Sequence, residues 1–288
     1  MVSFGFSIDW ISATFADHDA YKFARMLGYE TWAKSVPATP PRGYNRCVEL
    51  ETGARIAWSE SRTDMGTHIV LSGSTLSAYR DKNLDGLQLL KIIRENNGRT
   101  SRVDLAIDVK NGGLKLTDFS RDTRILMKSR GRQPKLWPTG TQEDGWTVYV
   151  GNRESDKFFR IYDKAKERGN FEDDYVRFEL ECKGEIGHAV GWEFALFDVQ
   201  AAYGMASRLI LDFVDFNVEV WRQALSSATI EKLEVPKNDK RDTLGWLIKS
   251  CVPALAKEIA KHPNDGILDA FVNELELKLR EYNIELTR

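Results

Sequence analysis

The chain has 288 residues, 42% of them hydrophobic and 29% charged, with a formal net charge of −2. These proportions exclude a disordered or collagen-like chain, and no apolar run approaches the ~18 residues of a membrane span. Cys47, Cys182 and Cys251 are odd in number and far apart, without a CxxC pair, which argues against a disulfide framework and a cysteine zinc site.

The same cysteine usage fits a reducing cytosol. The first residues hold no basic region followed by an apolar core, so a cytoplasmic chain without a membrane partner is expected. A near-neutral charge means that any contact with nucleic acid rests on local patches.

Residues 5–15 are rich in aromatic and β-branched types and read as a first strand. A short amphipathic helix follows over His18–Gly28. Strands are expected at Arg46–Glu51, Ala54–Ser59 and His68–Ser72, with Thr52 and Gly53 turning between the first two. Strand and turn alternate, so the pattern favours an antiparallel sheet over a doubly wound one.

Asn83–Asn96 has Leu84, Leu87, Leu90 and Ile93 near helical spacing. Ser101–Lys110 is the clearest strand: Val103, Leu105, Ile107 and Val109 point one way, and Arg102, Asp104, Ala106 and Asp108 the other. A helix is expected over Thr117–Lys128. Between Arg121 and Lys135 the basic residues Arg121, Arg124, Lys128, Arg130, Arg132 and Lys135 face the single acid Asp122. Such a run is either a solvated face or a phosphate-contacting loop.

Gly191–Phe216 reads as helical and Ser226–Arg241 as a polar linker. Helices then cover Thr243–Lys261 and Gly266–Tyr282, the second with Leu268, Phe271, Val272, Leu275 and Leu279 inward. The expected fold class is α+β: an antiparallel sheet with helices on one face and a polar face on the other, plus C-terminal helices. Residues 1–225 form the main domain, 226–241 a linker and 242–288 a helical segment.

Alternation places Arg160, Tyr162 and Lys164 on one side of Phe158–Lys164. It also places Arg177, Glu179, Glu181 and Lys183 on one side of Val176–Lys183. With Asp104 and Asp108, three strands carry one apolar side and one charged side. A solvated face laced with cross-strand ion pairs has the same pattern. Aspartates are poor strand formers, however, and neighbouring carboxylates repel unless a cation lies between them. Carboxylate oxygens suit Mg²⁺ or Mn²⁺.

A tyrosine in a strand most often packs. Its phenol, with a pKa of about 10, becomes a nucleophile only where cations or a metal stabilise the phenolate. Tyr162 has Arg160 and Lys164 at i−2 and i+2; Tyr149 and Tyr175 lack such flanks. The four histidines form no HxxxH or HxH pair, and only His68 falls in a strand of this sheet as a candidate extra ligand. Neither GxxxxGK[ST] nor GxGxxG is present, so nucleotide hydrolysis and dinucleotide chemistry have no support.

The string from Thr147 to Lys164, TVYVGNRESDKFFRIYDK, resembles the signature of the Rep_trans group. That group comprises replication initiation factors of rolling-circle plasmids, related phage initiators and relaxases of conjugative elements. IDWISATF (8–15), GTHIVLSGS (66–74), RVDLAID (102–108), RFELECK (177–183) and TLGWLIKSCVPAL (243–255) are similar to its other elements, in the same order.

The resemblance implies a metal-dependent nicking and closing enzyme acting on origin DNA, with Mg²⁺ or Mn²⁺ as cofactor. Tyr162 would attack a phosphodiester and become linked to the 5′-phosphate. Arg160, Lys164 and Arg102 would steady the phosphate, and Asp104, Asp108, Glu179 and Glu181 would hold the ion. It further implies a helicase partner and a homodimer. A DNA-binding replication or regulatory factor of the same fold that does not nick is the alternative.

Overall fold

The computed structural model describes residues 1–29, 35–119, 126–130, 135–141, 145–226, 252–262 and 266–281. The chain divides into two units, Met1–Val235 and Pro236–Arg288.

Among the described residues the first unit forms twelve strands: β1 (Ser3–Phe15), β2 (Val36–Pro37), β3 (Arg46–Glu49), β4 (Arg55–Trp58), β5 (Thr67–Leu71), β6 (Arg99–Lys110), β7 (Leu126–Ser129), β8 (Lys135–Thr141), β9 (Gly145–Val150), β10 (Lys157–Asp163), β11 (Tyr175–Lys183) and β12 (Val214–Phe216). Ten of them make one sheet in the order β2-β3-β4-β5-β1-β6-β11-β10-β9-β8, and β12 pairs with β7 in a second. The pairings of the large sheet are antiparallel throughout. The α+β class read from alternation is therefore the observed one.

The sheet's apolar side is the core. Val103, Leu105, Ile107 and Val109 of β6 are buried with Val176, Phe178, Leu180 and Cys182 of β11 and with Phe159 and Ile161 of β10. Helices α2 (Gly73–Arg80), α3 (Gly86–Glu95), α5 (Gly184–Phe194), α6 (Val199–Phe213) and α7 (Glu219–Leu225) contribute to the same cluster. Trp221 of α7 is fully buried among Phe119, Phe159, Phe178 and Phe216, directly behind β10 and β11. Its indole N–H donates to Asp215 at 3.0 Å. Aromatic rings packed this way hold the two strands firmly from behind.

The local helix signals act as expected in α3. Asp85 and Gln88 close a capping box at its start, and Leu87, Leu90 and Ile93 are buried.

Two helices expected from the sequence are not formed as read. Leu126–Ser129, placed in a helix over Thr117–Lys128, is strand β7, preceded by a 3₁₀ turn at Leu116–Phe119. Pairing with Val214–Phe216 supplies the partner that makes it a strand, overriding its helical propensity. Gly191–Phe216 is two helices and a strand. Asp198 accepts a hydrogen bond from the Ala201 N–H at 2.8 Å and restarts the helix at Val199.

In the second unit, Val252–Lys261 and Ile267–Glu281 are helical. Leu268, Phe271, Val272 and Leu275 are exposed rather than inward. The linker expected over 226–241 falls, beyond residue 226, outside the described residues.

Candidate active site

Strand register assembles the site. Tyr162 of β10 lies opposite Arg177 of β11, and Arg160 opposite Glu179. Arg177 lies opposite Asp108 of β6, and Glu181 opposite Asp104. Period-two geometry then projects all these side chains from the face turned away from the core. Arg160, Tyr162, Asp104, Asp108, Glu179 and Glu181 thus come together as the sequence pattern required.

The Tyr162 phenol is buried and donates to Glu179 Oε2 at 2.7 Å. The other oxygen of Glu179 takes the Arg160 guanidinium, with Nε at 3.0 Å. Lys164 Nζ approaches the phenol oxygen at 3.4 Å and pairs with Glu167 at 2.5 Å. Lys164 does not belong to the strand: β10 ends at Asp163, and Lys164 opens the single helical turn α4 (Lys164–Glu167). The fold therefore brings it over the ring from beyond the strand end, 5.4 Å from the ring centre, while Arg160 sits at 5.3 Å. Burial first, and then the Glu179 charge, hold the phenol above its ordinary pKa.

Tyr162 and Arg160 border a cavity of about 180 Å³ whose other walls include Trp146, Thr147, Tyr149 and Glu167. Tyr162 and Arg160 thus border an opening, with the buried Glu179 and Lys164 held against the phenol behind them.

Beside this lies a closed cluster. Arg177 is only 2% exposed, yet its guanidinium reaches Asp108 at 2.6 and 2.9 Å, Asp9, and the Tyr175 hydroxyl at 3.1 Å. Sequence alternation put Arg177 on this face without giving it a role, and it missed Asp9. A bulge explains the omission: Ile8 pairs with Leu105 and Trp10 with Asp104, leaving Asp9 as the extra residue. Ile8 and Ile11 both enter the core, and Asp9 turns to Arg177 on the polar side. The signal in the sequence was an acid inside an otherwise uncharged strand. The Ser72-Gly73 corner also abuts this carboxylate, since a Cβ at Gly73 would lie 3.0 Å from Asp9 Oδ1.

A third group holds Asp104 and Glu181. Arg102 binds Asp104 at 2.6 and 2.8 Å and Glu181 at 2.7 Å, and Lys183 binds Glu181 at 2.8 Å. Burial pushes the Asp104 carboxyl up to about 7, against the opposing pull of Arg102 and with a further push from Glu179 and Glu181.

Among the described residues no group of three His, Cys, Asp or Glu side chains is arranged to hold a metal ion. Each of the four acids is turned to a cation. The donor chemistry itself, all carboxylate oxygen, fits a hard divalent ion, and the mutual repulsion of Asp104, Glu179 and Glu181 is what such an ion relieves.

His68 stands apart, with Nδ1 2.9 Å from Thr14 Oγ1 and its ring stacked on Tyr44. Of the basic run, Lys128 and Arg130 pair with Asp212 at 3.3 and 2.7 Å. Arg121, Arg124, Arg132 and the side chain of Lys135 lie outside the described residues.

The model of the replication initiation factor family, Rep_trans, matches residues 98–269. The chain belongs to that family. The matched span carries β6, β10 and β11, the three strands of the site. A solved rolling circle replication initiator protein from Geobacillus stearothermophilus has the same fold at a TM-score of 0.65 and 19% identity, covering 81% of this chain and 99% of that one. No curated protein matches. Membership in the replication initiation factors implies a role in starting DNA replication and contact with origin DNA. No described helix is long and apolar enough to cross a membrane.

Proposed function

We propose that this replication initiation factor nicks one strand of its origin through Tyr162 and later reseals it. The observation that carries this reading is the Tyr162 hydroxyl, hydrogen-bonded to Glu179 at 2.7 Å, with Lys164 Nζ 3.4 Å away and Arg160 beside it on the wall of a cavity.

At rest the phenol keeps its proton, because burial and Glu179 disfavour the phenolate. A scissile phosphate entering the cavity meets Arg160 and Lys164, which offset the charge that builds on its oxygens. As the Tyr162 oxygen bonds to phosphorus, its proton passes to Glu179, a general base within hydrogen-bond reach. The P–O3′ bond breaks, and the 3′ oxygen takes a proton to become a hydroxyl. The reverse sequence reseals the strand without ATP, since the phosphotyrosine conserves the bond energy.

Asp104, Glu179 and Glu181 would hold Mg²⁺ or Mn²⁺, which supplies further polarisation of the phosphate. Asp108 serves Arg177 instead. Strand separation after nicking calls for a helicase, and a second copy of the chain is the source of a second tyrosine.

The test is a supercoiled plasmid carrying the cognate origin, incubated with Mg²⁺ or Mn²⁺. Wild type yields nicked circles with protein covalently bound to the 5′ end, and Tyr162→Phe yields neither. Nicking with 5′ attachment by Tyr162→Phe removes Tyr162 as nucleophile. Origin binding by wild type without nicking under either ion leaves a DNA-binding factor of the same fold.

A further inference from the structure

Away from Tyr162, the polar face of the sheet carries a second opening of similar size. It measures about 200 Å³ and is bordered by Trp10, Glu49, Arg55, Val70, Ser72 and Ser74. Ligand sites for drug-sized molecules run to about 300–1,000 Å³, so this one suits a single planar group.

Trp10 is built as a wall. It follows the bulge and stands opposite Asp104, so its ring lies on the polar face rather than in the core. Its indole N–H is spent on Ser12 Oγ at 2.7 Å, which fixes the ring. The Arg102 guanidinium sits 4.6 Å from the ring centre, and the same Arg102 ties Asp104 to Glu181. With its donor used, the indole offers its π surface alone.

Register links the opening to the reaction centre. Glu49 pairs with Arg55, Arg55 with Val70, Val70 with Ser12, Ser12 with Arg102 and Arg102 with Lys183. Arg55, Arg102 and Lys183 therefore stand in one row that crosses the sheet from the opening to β11, six residues along that strand from Arg177, the partner of Tyr162. Three strand spacings and four residues separate the Trp10 backbone from that of Tyr162, about 20 Å at the usual sheet dimensions. A single strand of DNA covers that distance in roughly three to six nucleotides.

We infer that this slot takes one unpaired nucleobase of the strand whose phosphate lies at Tyr162, stacked on Trp10 with its edge toward Glu49, Arg55 and the serines. The inference rests on the nicking reading and adds a base-holding subsite to it. Stacking on an aromatic face is tolerant of base identity. The polar rim supplies both hydrogen-bond acceptors and donors for a base edge.

The test compares two probes on the full chain by fluorescence anisotropy: oligothymidylate of about a dozen nucleotides, and the same length of abasic sugar-phosphate backbone. Trp10→Ala should weaken the thymidylate about 5- to 150-fold and leave the abasic strand unchanged, since only the first has bases to stack. Trp10→Phe should restore most of the loss. Val70→Trp fills the slot from the neighbouring strand β5 and should reproduce the same selective loss, which keeps the test available if Trp10→Ala is poorly folded. Equal weakening of both probes by Val70→Trp, or no weakening of either by the two variants, overturns the slot. So does failure of wild type to prefer thymidylate over the abasic strand. The nicking reading stands or falls separately, on the 5′ adduct formed by wild type.

Discussion

Two arginines on adjacent strands do opposite work. Arg160 is 32% exposed on its side chain, binds one carboxylate and borders a cavity. Arg177, across the register from Tyr162, is 2% exposed and spends its guanidinium on Asp9, Asp108 and Tyr175. The first can turn to a phosphate at lower cost, because water reaches its guanidinium and Glu179 keeps the Tyr162 hydrogen bond. The second cannot leave without burying unpaired charges. Residue type and strand face thus do not single out a candidate catalytic cation; spare bonding capacity at an opening does.

The sharpest way to break this contrast is Arg177→Met. It leaves Asp9 and Asp108 facing each other without a cation, and a loss of about 3–5 kcal/mol in unfolding free energy is expected by denaturant titration. A loss below about 1 kcal/mol would make Arg177 as dispensable to the fold as a surface ion pair. Gly73→Ala approaches the same cluster from behind. Its methyl presses on the Asp9 carboxylate, where contact would be 3.0 Å, and should cost about 1–2 kcal/mol. Arg160→Met belongs to the other side of the comparison. It should cost less than Arg177→Met, about 1–3 kcal/mol, since it leaves one buried carboxylate that keeps its Tyr162 hydrogen bond, while reducing the nicking rate about 10²- to 10³-fold, as loss of a transition-state donor does.

The smallest effect concerns Asp104. Its carboxyl is raised from 3.8 to about 7 in the folded protein, so the native state binds more protons than the unfolded chain between those values. Stability from this group is then present at low pH and declines as pH rises toward 7. In metal-free buffer Asp104→Asn should flatten that part of the Tm-against-pH curve. An unchanged slope would show that Arg102 holds the carboxylate ionised throughout.

What the sequence disclosed follows from the same physics. Alternation in Ser101–Lys110, Phe158–Lys164 and Val176–Lys183 placed the acids, Arg160 and Tyr162 correctly, because a strand between apolar core and polar face has little freedom of register. Lys164 reached the phenol by a different route, from α4, so its proximity was legible and its position was not. Arg177 was legible as a residue of the polar face, but its closure depends on Asp9, and Asp9 depends on a bulge that leaves no periodic signature. Strand β7 was missed because its partner Val214–Phe216 lies far along the chain, where local propensity carries no information.

The bulge in β1 also sets a rule about length. Ile8 and Ile11 face the same side although three positions apart, so the strand is read in two phases that meet at Asp9 and Trp10. A substitution there changes one contact. Removing Asp9 would put the two phases in step with every pairing from Ser3 to Ile8 kept, and would take from Arg177 one of its two carboxylates. Relatives that keep the buried Arg177 should therefore keep both the extra residue and an acid at its position. Insertions belong instead to the Asn152–Ser155 turn between β9 and β10, where Ser155 N bonds Asn152 O across an exposed loop and no facing strand counts the residues.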